Sequence, residues 1–414
     1  MADNKDKKVL NVPALRFPEF TEEWKRIRVS DLLDFYSTNS LSWEQLEYEP
    51  NEPFNLHYGL IHVGLPTLID LTKDKLPSIK DGNVPKKYEL CKEGDIAFAD
   101  ASEDTNEVAK VVEFYNLDGK KVVCGLHTIH GRDNNEQTSK GFLGYYFSST
   151  VFHNQIRRIA QGTKIYSINT RNFSEVFVGL PSKSEQHKIA TLLKLIDERI
   201  STQNKIIEDL RLLRDAIMVE HYRKCNKSEL YIYDIGEPFN VMNLSKDDLT
   251  KDGSPCIIYG ELFTTYGCVI ENVVSHTTES PNSTLSTKGD LLFPASTTVD
   301  ALSLIAPSSI NEDGIILGGD MFGIHVNEQY NSNYLSYYFN IIGKKNLAKY
   351  AKGSTIIHLH YADIQKAKIT LPNKNEQETV ANLLLKVEHK LNIEQKMLIN
   401  YLNTKNFLLR QMFI

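Results

Sequence analysis

The segment Leu180-Pro181-Ser182-Lys183-Ser184-Glu185-Gln186 returns 191 residues later (371 minus 180) as Leu371-Pro372-Asn373-Lys374-Asn375-Glu376-Gln377. Each copy opens a long stretch in which apolar residues recur at helical spacing. Ser182 with Glu185, and Asn373 with Glu376, have the spacing of N-cap and N3 residues, so each copy predicts a helix start. Two copies with a period far above the roughly 20 to 50 residues of solenoids indicate a duplicated unit of one domain followed by one helix.

The repeat also covers the regions before the predicted helices. Three further pairs of segments match, at shifts of 191, 192 and 195 residues: 160–165 with 351–356, 142–147 with 334–339, and 94–98 with 289–293. The shift grows toward the N-terminus, as expected if short loops were inserted between fixed elements. The sequence therefore predicts two related domains.

Within the first domain, β-like runs alternate with Gly, Pro and Asn. We predict strands at residues 54–63, 95–99, 121–129 and 174–178. A stretch at residues 141–160 is rich in Tyr and Phe and has helical spacing. We interpret its aromatic residues, and those at residues 337–339, as core rather than as base-stacking surfaces.

Both predicted long helices carry an apolar heptad seam. Its apolar members are Ile189, Leu193, Ile196, Ile200, Ile207, Leu210 and Ile217 in the first helix, and Val380, Leu384, Val387, Leu391, Leu398, Tyr401 and Leu408 in the second. Polar residues interrupt the seam at equivalent places, with Gln203 matching Glu394 and Arg214 matching Lys405. About four successive heptads predict a coiled coil, and about 40 residues make each helix roughly 60 Å long. Ordinary amphipathic bundle helices are the alternative.

Composition is that of an ordinary globular protein. The 414 residues are enough for two or three cores, and 41% hydrophobic with 24% charged residues fits neither a disordered nor a fibrous chain. No apolar run approaches the roughly 20 residues that span a bilayer, and the N-terminus has no hydrophobic signal segment. We therefore predict a cytoplasmic protein with no membrane partner.

The cysteines and histidines form no recognisable metal-binding pattern. The five cysteines are odd in number, widely separated and without a C-x-x-C pair. We predict free thiols, no metal site and no cofactor. His127 with His130, and His358 with His360, lack a Cys or carboxylate partner at ligand spacing and are interpreted as structural.

Charge is distributed unevenly along the chain. The formal net charge of −6 argues against a nucleic-acid partner, but residues 137–174 and 329–362 contain no Asp or Glu. These two stretches occupy equivalent places in the repeat and carry Arg157, Arg158 and Lys164 in the first copy and Lys344, Lys345, Lys349 and Lys352 in the second. Paired acid-free basic stretches are typical of surfaces that face phosphates. Solvated helix faces are the alternative.

Taken together, these motifs resemble the specificity subunits of type I restriction-modification enzymes. The resemblance rests on P-A-L-R-F-P-E-F at residues 13–20 followed by Trp24, G-D-[IL]-x-F at Gly94 and Gly289, A-x-G-[ST] at Ala160 and Ala351, and L-P-x-K-x-E-Q at Leu180 and Leu371. It spans essentially the whole chain. Each motif is moderately specific, whereas their order, duplication and spacing together are highly specific.

This resemblance implies an α+β fold. Two pseudo-symmetric target recognition domains of mixed strands and helices would be separated by two long helices packed as an antiparallel coiled coil. The expected boundaries are residues 1–12 for a disordered tail, 13–180 for target recognition domain 1, 181–224 for a central helical spacer, 225–371 for target recognition domain 2 and 372–414 for a C-terminal helical spacer.

It also implies that the chain is the DNA sequence-recognition subunit of a type I complex. It would read a bipartite site in double-stranded DNA, and would dock two methylase subunits and, through them, restriction and translocase subunits. Basic side chains would hold phosphates: Arg157, Arg158, Lys164, Lys344, Lys345, Lys349 and Lys352. From residue type rather than from the resemblance, we predict that the polar loops after the G-D-[IL]-x-F strands read base edges through Ser102, Thr105 and Asn106 in one domain and Ser296, Thr297 and Thr298 in the other. Ordinary solvent-exposed loops are the alternative.

Motifs for catalysis are missing from the sequence. There is no G-x-x-x-x-G-K-[ST], no G-x-G-x-x-G after a strand and no [DNS]-P-P-[YFW] segment of amino-methyltransferases. We therefore predict a non-catalytic subunit. The alternatives are a self-contained nuclease or methylase with bipartite recognition, and a DNA-free coiled-coil scaffold.

Overall fold

The computed structural model describes residues 11–278 and 283–414. The tail predicted at residues 1–12 therefore lies outside the described residues except for Asn11 and Val12. The chain divides into two compact units. Unit 1 extends to Gln203 and resumes at Met397–Ile414, and unit 2 is Asn204–Lys396.

Unit 1 combines short strands with short helices. Its strands are β1 (Lys25–Arg28), β2 (Asp34–Tyr36), β3 (Leu46–Glu47), β4 (Phe54–Leu56), β5 (Leu68–Asp70), β6 (Ser78–Ile79), β7 (Ile96–Ala99), β8 (Ala101–Ser102), β9 (Val111–Asn116), β10 (Val122–Cys124), β11 (Thr128–Arg132), β12 (Tyr166–Ser167) and β13 (Phe177–Leu180). Its helices are α1 (Val29–Leu32), α2 (Tyr58–His62), α3 (Phe142–Phe147), α4 (Thr150–Ile159), α5 (Thr170–Ser174) and the first half of α6 (Lys183–Lys224).

Unit 2 is built in the same way. Its strands are β14 (Ser228–Tyr231), β15 (Gly236–Asn240), β16 (Leu249–Thr250), β17 (Ser254–Ile258), β18 (Val269–Ile270), β19 (Ser275–Thr277), β20 (Thr284–Leu285), β21 (Asp290–Pro294), β22 (Ser296–Thr297), β23 (Ser308–Ile310), β24 (Ile316–Gly318), β25 (Met321–Val326), β26 (Ile357–His358) and β27 (Lys368–Leu371). Its helices are α7 (Glu261–Thr264), α8 (Ala301–Leu304), α9 (Ser332–Ile341), α10 (Lys344–Leu347), α11 (Tyr361–Ile364) and most of α12 (Lys374–Gln411).

Sheet topology repeats from unit to unit. One five-stranded sheet in each unit has the same order of equivalent strands. The order is β2-β11-β7-β9-β5 in unit 1 and β15-β25-β21-β23-β18 in unit 2. The two-stranded pairs β1-β13 and β8-β12 recur as β14-β27 and β22-β26. The duplication read from the sequence is therefore a duplication of fold.

Aromatic side chains form the core of each unit, as predicted. All six residues of α3 are buried, and Phe142, Tyr146 and Phe147 pack with Phe98 and Trp24. Residues 334–339 of α9 are buried in the same way around Phe293 in unit 2. These rings fill the space between the five-stranded sheet and the long helices, where burying a large ring stabilises the fold most.

The long helices begin where the sequence predicted. The Ser182 hydroxyl accepts the Glu185 N–H at 3.4 Å, and the Asn373 side chain accepts the Glu376 N–H at 3.0 Å. Glu185 does not close a capping box, because its carboxylate accepts hydrogen bonds from Arg16 and the Trp24 indole instead. Glu185 thus ties the segment of Arg16 and Trp24 to the start of α6.

Each unit contains an antiparallel pair formed by parts of α6 and α12. In unit 1, Asp197 pairs with Lys405 at 2.6 Å. In unit 2, Arg214 pairs with Glu388 at 3.4 Å. All the predicted seam residues are buried or half-buried, including the polar Gln203 and Glu394. The predicted seam is confirmed, and its basic interruptions Arg214 and Lys405 are ion-paired at equivalent positions of the repeat.

Four predicted element boundaries in unit 1 were wrong. The strand predicted over 54–63 ends at Leu56, because His57 Nδ1 accepts the Gly59 N–H and starts α2. The strand predicted over 121–129 breaks at residues 125–127, where the chain passes from the four-stranded sheet that contains β10 to the five-stranded sheet that contains β11. Ser149 caps α4 and so divides the helix predicted over 141–160. The strand predicted from Ser174 begins at Phe177, because α5 extends through Ser174.

Candidate nucleic-acid interface

In unit 1 the predicted base-reading loop and the predicted phosphate-binding segment lie side by side. Strand β8, which opens the loop, pairs antiparallel with β12, so that Ser102 lies opposite Tyr166. The Ile168 N–H also donates to the Asp100 carbonyl at 2.9 Å. Two segments about 60 residues apart in the chain are therefore joined by backbone hydrogen bonds.

One of the predicted phosphate ligands contacts one of the predicted base readers. Arg157 Nη1 donates to Asn106 Oδ1 at 2.7 Å, and a second guanidinium nitrogen donates to Asn154. The Asn106 amide nitrogen donates to Asp104 Oδ1 at 3.0 Å, which fixes the orientation of the amide group. Asn106 is exposed, and its amide is held by Arg157 at the oxygen and by Asp104 at the nitrogen. Asparagine amides are among the groups that bond base edges.

The remaining predicted residues of unit 1 are placed differently. Thr105 is half-buried, and the half-buried Ser102 accepts the Asp104 N–H through its hydroxyl at 3.2 Å. Lys164 is exposed within the A-x-G-[ST] segment. Arg158 lines a cavity with Arg26.

A glycine explains the A-x-G-[ST] motif in both units. Gly162 has a φ of +139°, and a Cβ atom on it would lie 1.9 Å from the Ile165 carbonyl oxygen. Gly353 has a φ of +123°, and its Cβ would lie 2.0 Å from the Ile356 carbonyl oxygen. Only glycine fits such a turn. The motif therefore builds the tight turn that brings β12 against β8 and β26 against β22.

Unit 2 repeats the arrangement with different side chains. Ser296 in β22 lies opposite His358 in β26. Ser296 is buried, Thr297 is half-buried and accepts the Val299 N–H at 3.3 Å, and Thr298 is exposed. Thr298 is therefore the member of the predicted trio best placed to contact a base.

The predicted lysines of unit 2 lie close along the chain. Lys344 and Lys345 belong to α10, and Lys349 lies in the helical turn that follows. Lys345, Lys349 and Lys352 are exposed, and Lys344 is half-buried. Lys352 forms an ion pair with Asp363, which offsets part of its charge before any phosphate arrives.

A stack of rings beside the unit 1 loop was not found from the sequence. The Trp43 ring lies 4.4 Å from the His57 ring, His57 lies 4.7 Å from Tyr58, and Tyr58 lies 5.2 Å from His127. His127 Nδ1 in turn lies 3.1 Å from the Asp100 carboxylate at the loop start. Burial and the neighbouring His127 lower the pKa of His57, which favours the neutral, stacking form. Exposed aromatic rings can stack on bases. Trp43 is 45% exposed and His57 only 3%, so Trp43 is the ring open to a ligand and His57 supports it from below.

The only sequence signal for this stack was the match of Tyr58-Gly59 with Tyr259-Gly260 in the second copy. Tyr259 is also partly exposed, at 36%. Trp43 reaches the stack from a separate 3₁₀ turn, Trp43–Gln45, so no local spacing could have revealed it.

The aspartate of the G-D-[IL]-x-F motif pairs with a histidine in both units. Asp95 lies 2.7 Å from His130 Nε2, and Asp290 lies 2.6 Å from His325 Nδ1. Burial would raise the pKa of Asp95, but hydrogen bonds from His130 and Arg132 outweigh it and hold the pKa below its usual value. The sequence did not predict these pairs, whose members come from neighbouring strands.

Comparison with protein families decides the assignment. The family described as type I restriction modification DNA specificity domain matches residues 113–212 and 232–403, which is 272 of 414 residues (100 plus 172). The chain belongs to that family. Two matched segments, one in each half of the chain, agree with the two recognition domains expected of a type I specificity subunit.

Relatives of this DNA specificity family support the same conclusion. A protein of Methanocaldococcus jannaschii, assigned as the MjaX specificity subunit of a type I restriction enzyme, is 24% identical over 403 residues, covering 91% of this chain and 90% of its own. The crystal structure of a type I restriction-modification S subunit from M. genitalium matches with a TM-score of 0.62 at 17% identity, covering 97% of this chain and 99% of that one.

A further structure, from work on complex assembly and conformational transition of the type I R-M system, matches with a TM-score of 0.54 at 14% identity. It covers 93% of this chain and 96% of its own. At these identities the two structures support the fold alone. The predicted specificity-subunit family and its two-domain α+β fold are confirmed.

Two further observations concern catalysis and the membrane. The family is in general non-catalytic, in agreement with the motifs missing from the sequence. In the part of the chain that the structure describes, no helix is both long and apolar enough to cross a membrane.

Proposed function

We propose that the chain is the DNA sequence-recognition subunit of a type I restriction-modification complex and that each unit reads one half of a bipartite target. The observation that carries this proposal is the strand pair β8–β12 and its equivalent β22–β26. In each unit this pair joins a polar loop to a basic segment. Phosphate ligands and base readers must lie next to each other in this way, because the former fix the register in which the latter read.

The two kinds of contact differ in residue type between the units. In unit 1, Asn106, held by Arg157, would read a base edge, and the Trp43–His57–Tyr58 stack would support the loop from its other side. In unit 2, Thr298 would take the reading role beside Lys345 and Lys349. Different side chains on the same scaffold would make the two units read two different half-sites. The lysine and arginine side chains present in both units would give affinity for any DNA sequence.

Methylase subunits would dock on the long helices. Several large apolar side chains are exposed there, namely Leu195, Leu402 and Phe407 in unit 1 and Leu212, Leu213 and Leu383 in unit 2. Apolar groups left in water on an otherwise polar helix surface favour a protein contact. One docking surface per unit would give two methylase subunits, and restriction subunits would join through them. The chain itself would carry out no catalysis.

Domain boundaries follow from the same proposal. Residues 13–180 would form recognition domain 1, 225–371 recognition domain 2, and 181–224 with 372–414 the helical spacers. The segment 397–414 completes the core of unit 1 through Leu408, Leu409, Met412 and Phe413. A functional exchange of domain 1 must therefore preserve the surface that receives these residues.

Methylome sequencing of cells that carry this gene with cognate methylase and nuclease genes would test the proposal. Exchange of residues 13–180 for the same region of a relative should change one half of the methylated sequence and leave the other half intact. A change in both halves would refute independent reading. Methylation or cleavage by the purified chain alone would favour a self-contained enzyme, and binding to methylase subunits without any DNA contact would favour a scaffold.

A further inference from the structure

Three potential metal ligands, none of them among the proposed interface residues, meet inside unit 1. The sulfur atoms of Cys91 and Cys124 and a ring nitrogen of His130 all lie within 4.8 Å of one another. The three residues are 6%, 2% and 0% exposed. They come from the loop before β7, the end of β10 and the middle of β11, which is why no spacing in the sequence pointed to them.

The separation of the sulfur atoms fits a shared metal ion. Cys91 Sγ and Cys124 Sγ are 3.6 Å apart. Two thiolates bound at about 2.3 Å to a tetrahedral zinc ion would be separated by about 3.8 Å. A disulfide requires about 2.05 Å, so the two sulfur atoms are not bonded to each other.

His130 supplies the third ligand atom and the strongest evidence for a metal. Its Nε2 is engaged by Asp95 at 2.7 Å, whereas its Nδ1 is buried without a hydrogen-bond partner. A buried nitrogen without a partner destabilises a folded protein, because the nitrogen has lost its hydrogen bonds to water and gained none. A metal ion at Nδ1 would remove this cost, since histidine ligands commonly hold a carboxylate with their other nitrogen.

The surroundings balance the charges of such a site. Asp95 is held by Arg132, whose Nε and Nη2 each donate to it at 2.8 Å. Arg132 Nη1 also donates to Glu89 at 2.7 Å, but the Glu89 side chain is 34% exposed and so partly hydrated. Within the buried part of the site the charges of Asp95 and Arg132 cancel. A divalent cation would cancel the charges of two thiolates, and a neutral imidazole adds none, so the buried cluster would be electrically neutral with the cation bound.

We propose that Cys91, Cys124 and His130 bind one Zn²⁺ ion, with Asp95 as the residue that orients the imidazole. Both thiol protons would pass to solvent when the ion binds. Two sulfur ligands and one nitrogen favour zinc over magnesium or calcium. Asp95 has no free oxygen, so the fourth position would be taken by water.

Only unit 1 carries this site among the described residues. In unit 2 the Asp290–His325 pair recurs, but Ser286 takes the place of Cys91, with its N–H donating to Ile315 as that of Cys91 donates to Val122. Phe239 stacks on the His325 ring at 4.1 Å. The ion would therefore act on one recognition domain alone.

The site has a consequence that rests on the proposed function. Cys124 and His130 bracket the turn that presents His127 to Asp100 at the start of the reading loop. Zinc would fix both ends of this turn. Loss of the ion would loosen the first half-site and leave the second half-site unaffected.

A measurement of zinc content tests the site independently of DNA. The full chain is purified without chelator, incubated with Zn²⁺ alone and desalted. We expect about one zinc ion per chain by elemental mass spectrometry. Cys91→Ser and Cys124→Ser should each lose most of it. Cys256→Ser and Cys268→Ser, which remove buried thiols of unit 2, should retain it. A folded wild-type chain without zinc would overturn the proposal.

Cobalt spectroscopy keeps the test valid if the serine variants fail to fold. Co²⁺ added to the metal-free wild-type chain should produce a thiolate-to-cobalt charge-transfer band that Zn²⁺ abolishes. The band should persist in Cys256→Ser. Absence of the band, or an intact mass two hydrogens lighter from a Cys91–Cys124 disulfide, would overturn the proposal. If the metal binds but DNA recognition is unchanged with and without it, the metal site is supported and only its proposed effect on the first half-site is contradicted.

Discussion

Under the proposed function, Arg157 would serve both affinity and reading. Its guanidinium is always charged and suits phosphate, yet it also holds the Asn106 side chain at 2.7 Å. Removing it should therefore weaken binding to every sequence and also release a reader. Arg158, which lies beside Arg26 in a cavity, has no such contact with the loop.

Alanine at Arg157 and Arg158 together should lower the affinity of the assembled complex for all DNA sequences. We expect the slope of log affinity against log salt to fall by about 1 to 2, because each lost phosphate contact removes about 0.9. Binding measured by fluorescence anisotropy across a salt series checks this. Lys352→Ala, at a side chain already paired with Asp363, should change the slope less. An unchanged slope would contradict both phosphate contacts.

Glu113 is a second residue whose position has measurable consequences. Its carboxyl group is buried and accepts the N–H groups of Gly141 and Gly144 at the start of α3. Burial raises its pKa from 4.5 to about 7. Since the folded pKa is raised, its contribution to stability is fully present below about pH 4.5 and is lost as the pH rises through about 7.

Glu113→Gln should therefore flatten the pH dependence of the free energy of unfolding between pH 4.5 and 7. The wild-type chain should lose on the order of 3 kcal/mol more than the variant over this range, from 1.36 kcal/mol per pKa unit. Denaturant unfolding at several pH values measures the difference. The exposed Glu103→Gln serves as the matched control, and parallel curves for Glu113→Gln and wild type would contradict the expected shift.

At the scale of elements, the strand pairs β8–β12 and β22–β26 depend on one glycine each. Gly162 and Gly353 occupy turns that no side chain fits. The loss of either turn should separate a reading loop from its basic segment without touching the aromatic core. A single glycine substitution should therefore be enough to disrupt each strand pair.

Gly162→Ala should impair reading of the first half-site, and Gly353→Ala should impair the second. We expect each to destabilise its own unit by about 1 to 3 kcal/mol, the cost of a forbidden backbone conformation or a clash. Methylome sequencing reports the half-site affected. Gly82→Ala, at a φ of +83° with no atom within 4 Å of the added Cβ, separates backbone strain from the clash. Identical effects of Gly162→Ala and Gly353→Ala on both half-sites would contradict separate modules.

The separation in sequence between the members of a feature explains what the sequence could and could not predict. The helices α6 and α12 and the aromatic core were predictable, because their periodic apolar residues are contiguous and occur twice. Three groups were not predictable: the ring stack at Trp43, the Asp–His pairs, and the cluster of Cys91, Cys124 and His130. Their members come from separate strands and turns, so only the sheet order brings them together.

At the scale of the whole molecule, charge limits what the chain can do alone. The net charge of −6 repels DNA, whereas basic residues without neighbouring acids are found in two short stretches, residues 137–174 and 329–362. The isolated chain should bind DNA weakly, and added methylase subunits should tighten binding more than tenfold, since they would supply most of the attraction. Anisotropy titrations with and without methylase subunits check this. Equal affinity in both states would contradict the expectation.

Unit 1 is discontinuous in sequence, whereas unit 2 is a single continuous segment. Phe413 packs on Trp24 and Tyr146, and the Tyr146 hydroxyl donates to the Ile414 carbonyl at 2.7 Å. During synthesis the ribosome delivers all of unit 2 before it delivers these residues. The first recognition domain would therefore complete its core last, which reverses the usual order in which N-terminal domains fold first. A nascent chain would thus become competent to read the first half-site only after residues 397–414 have been made.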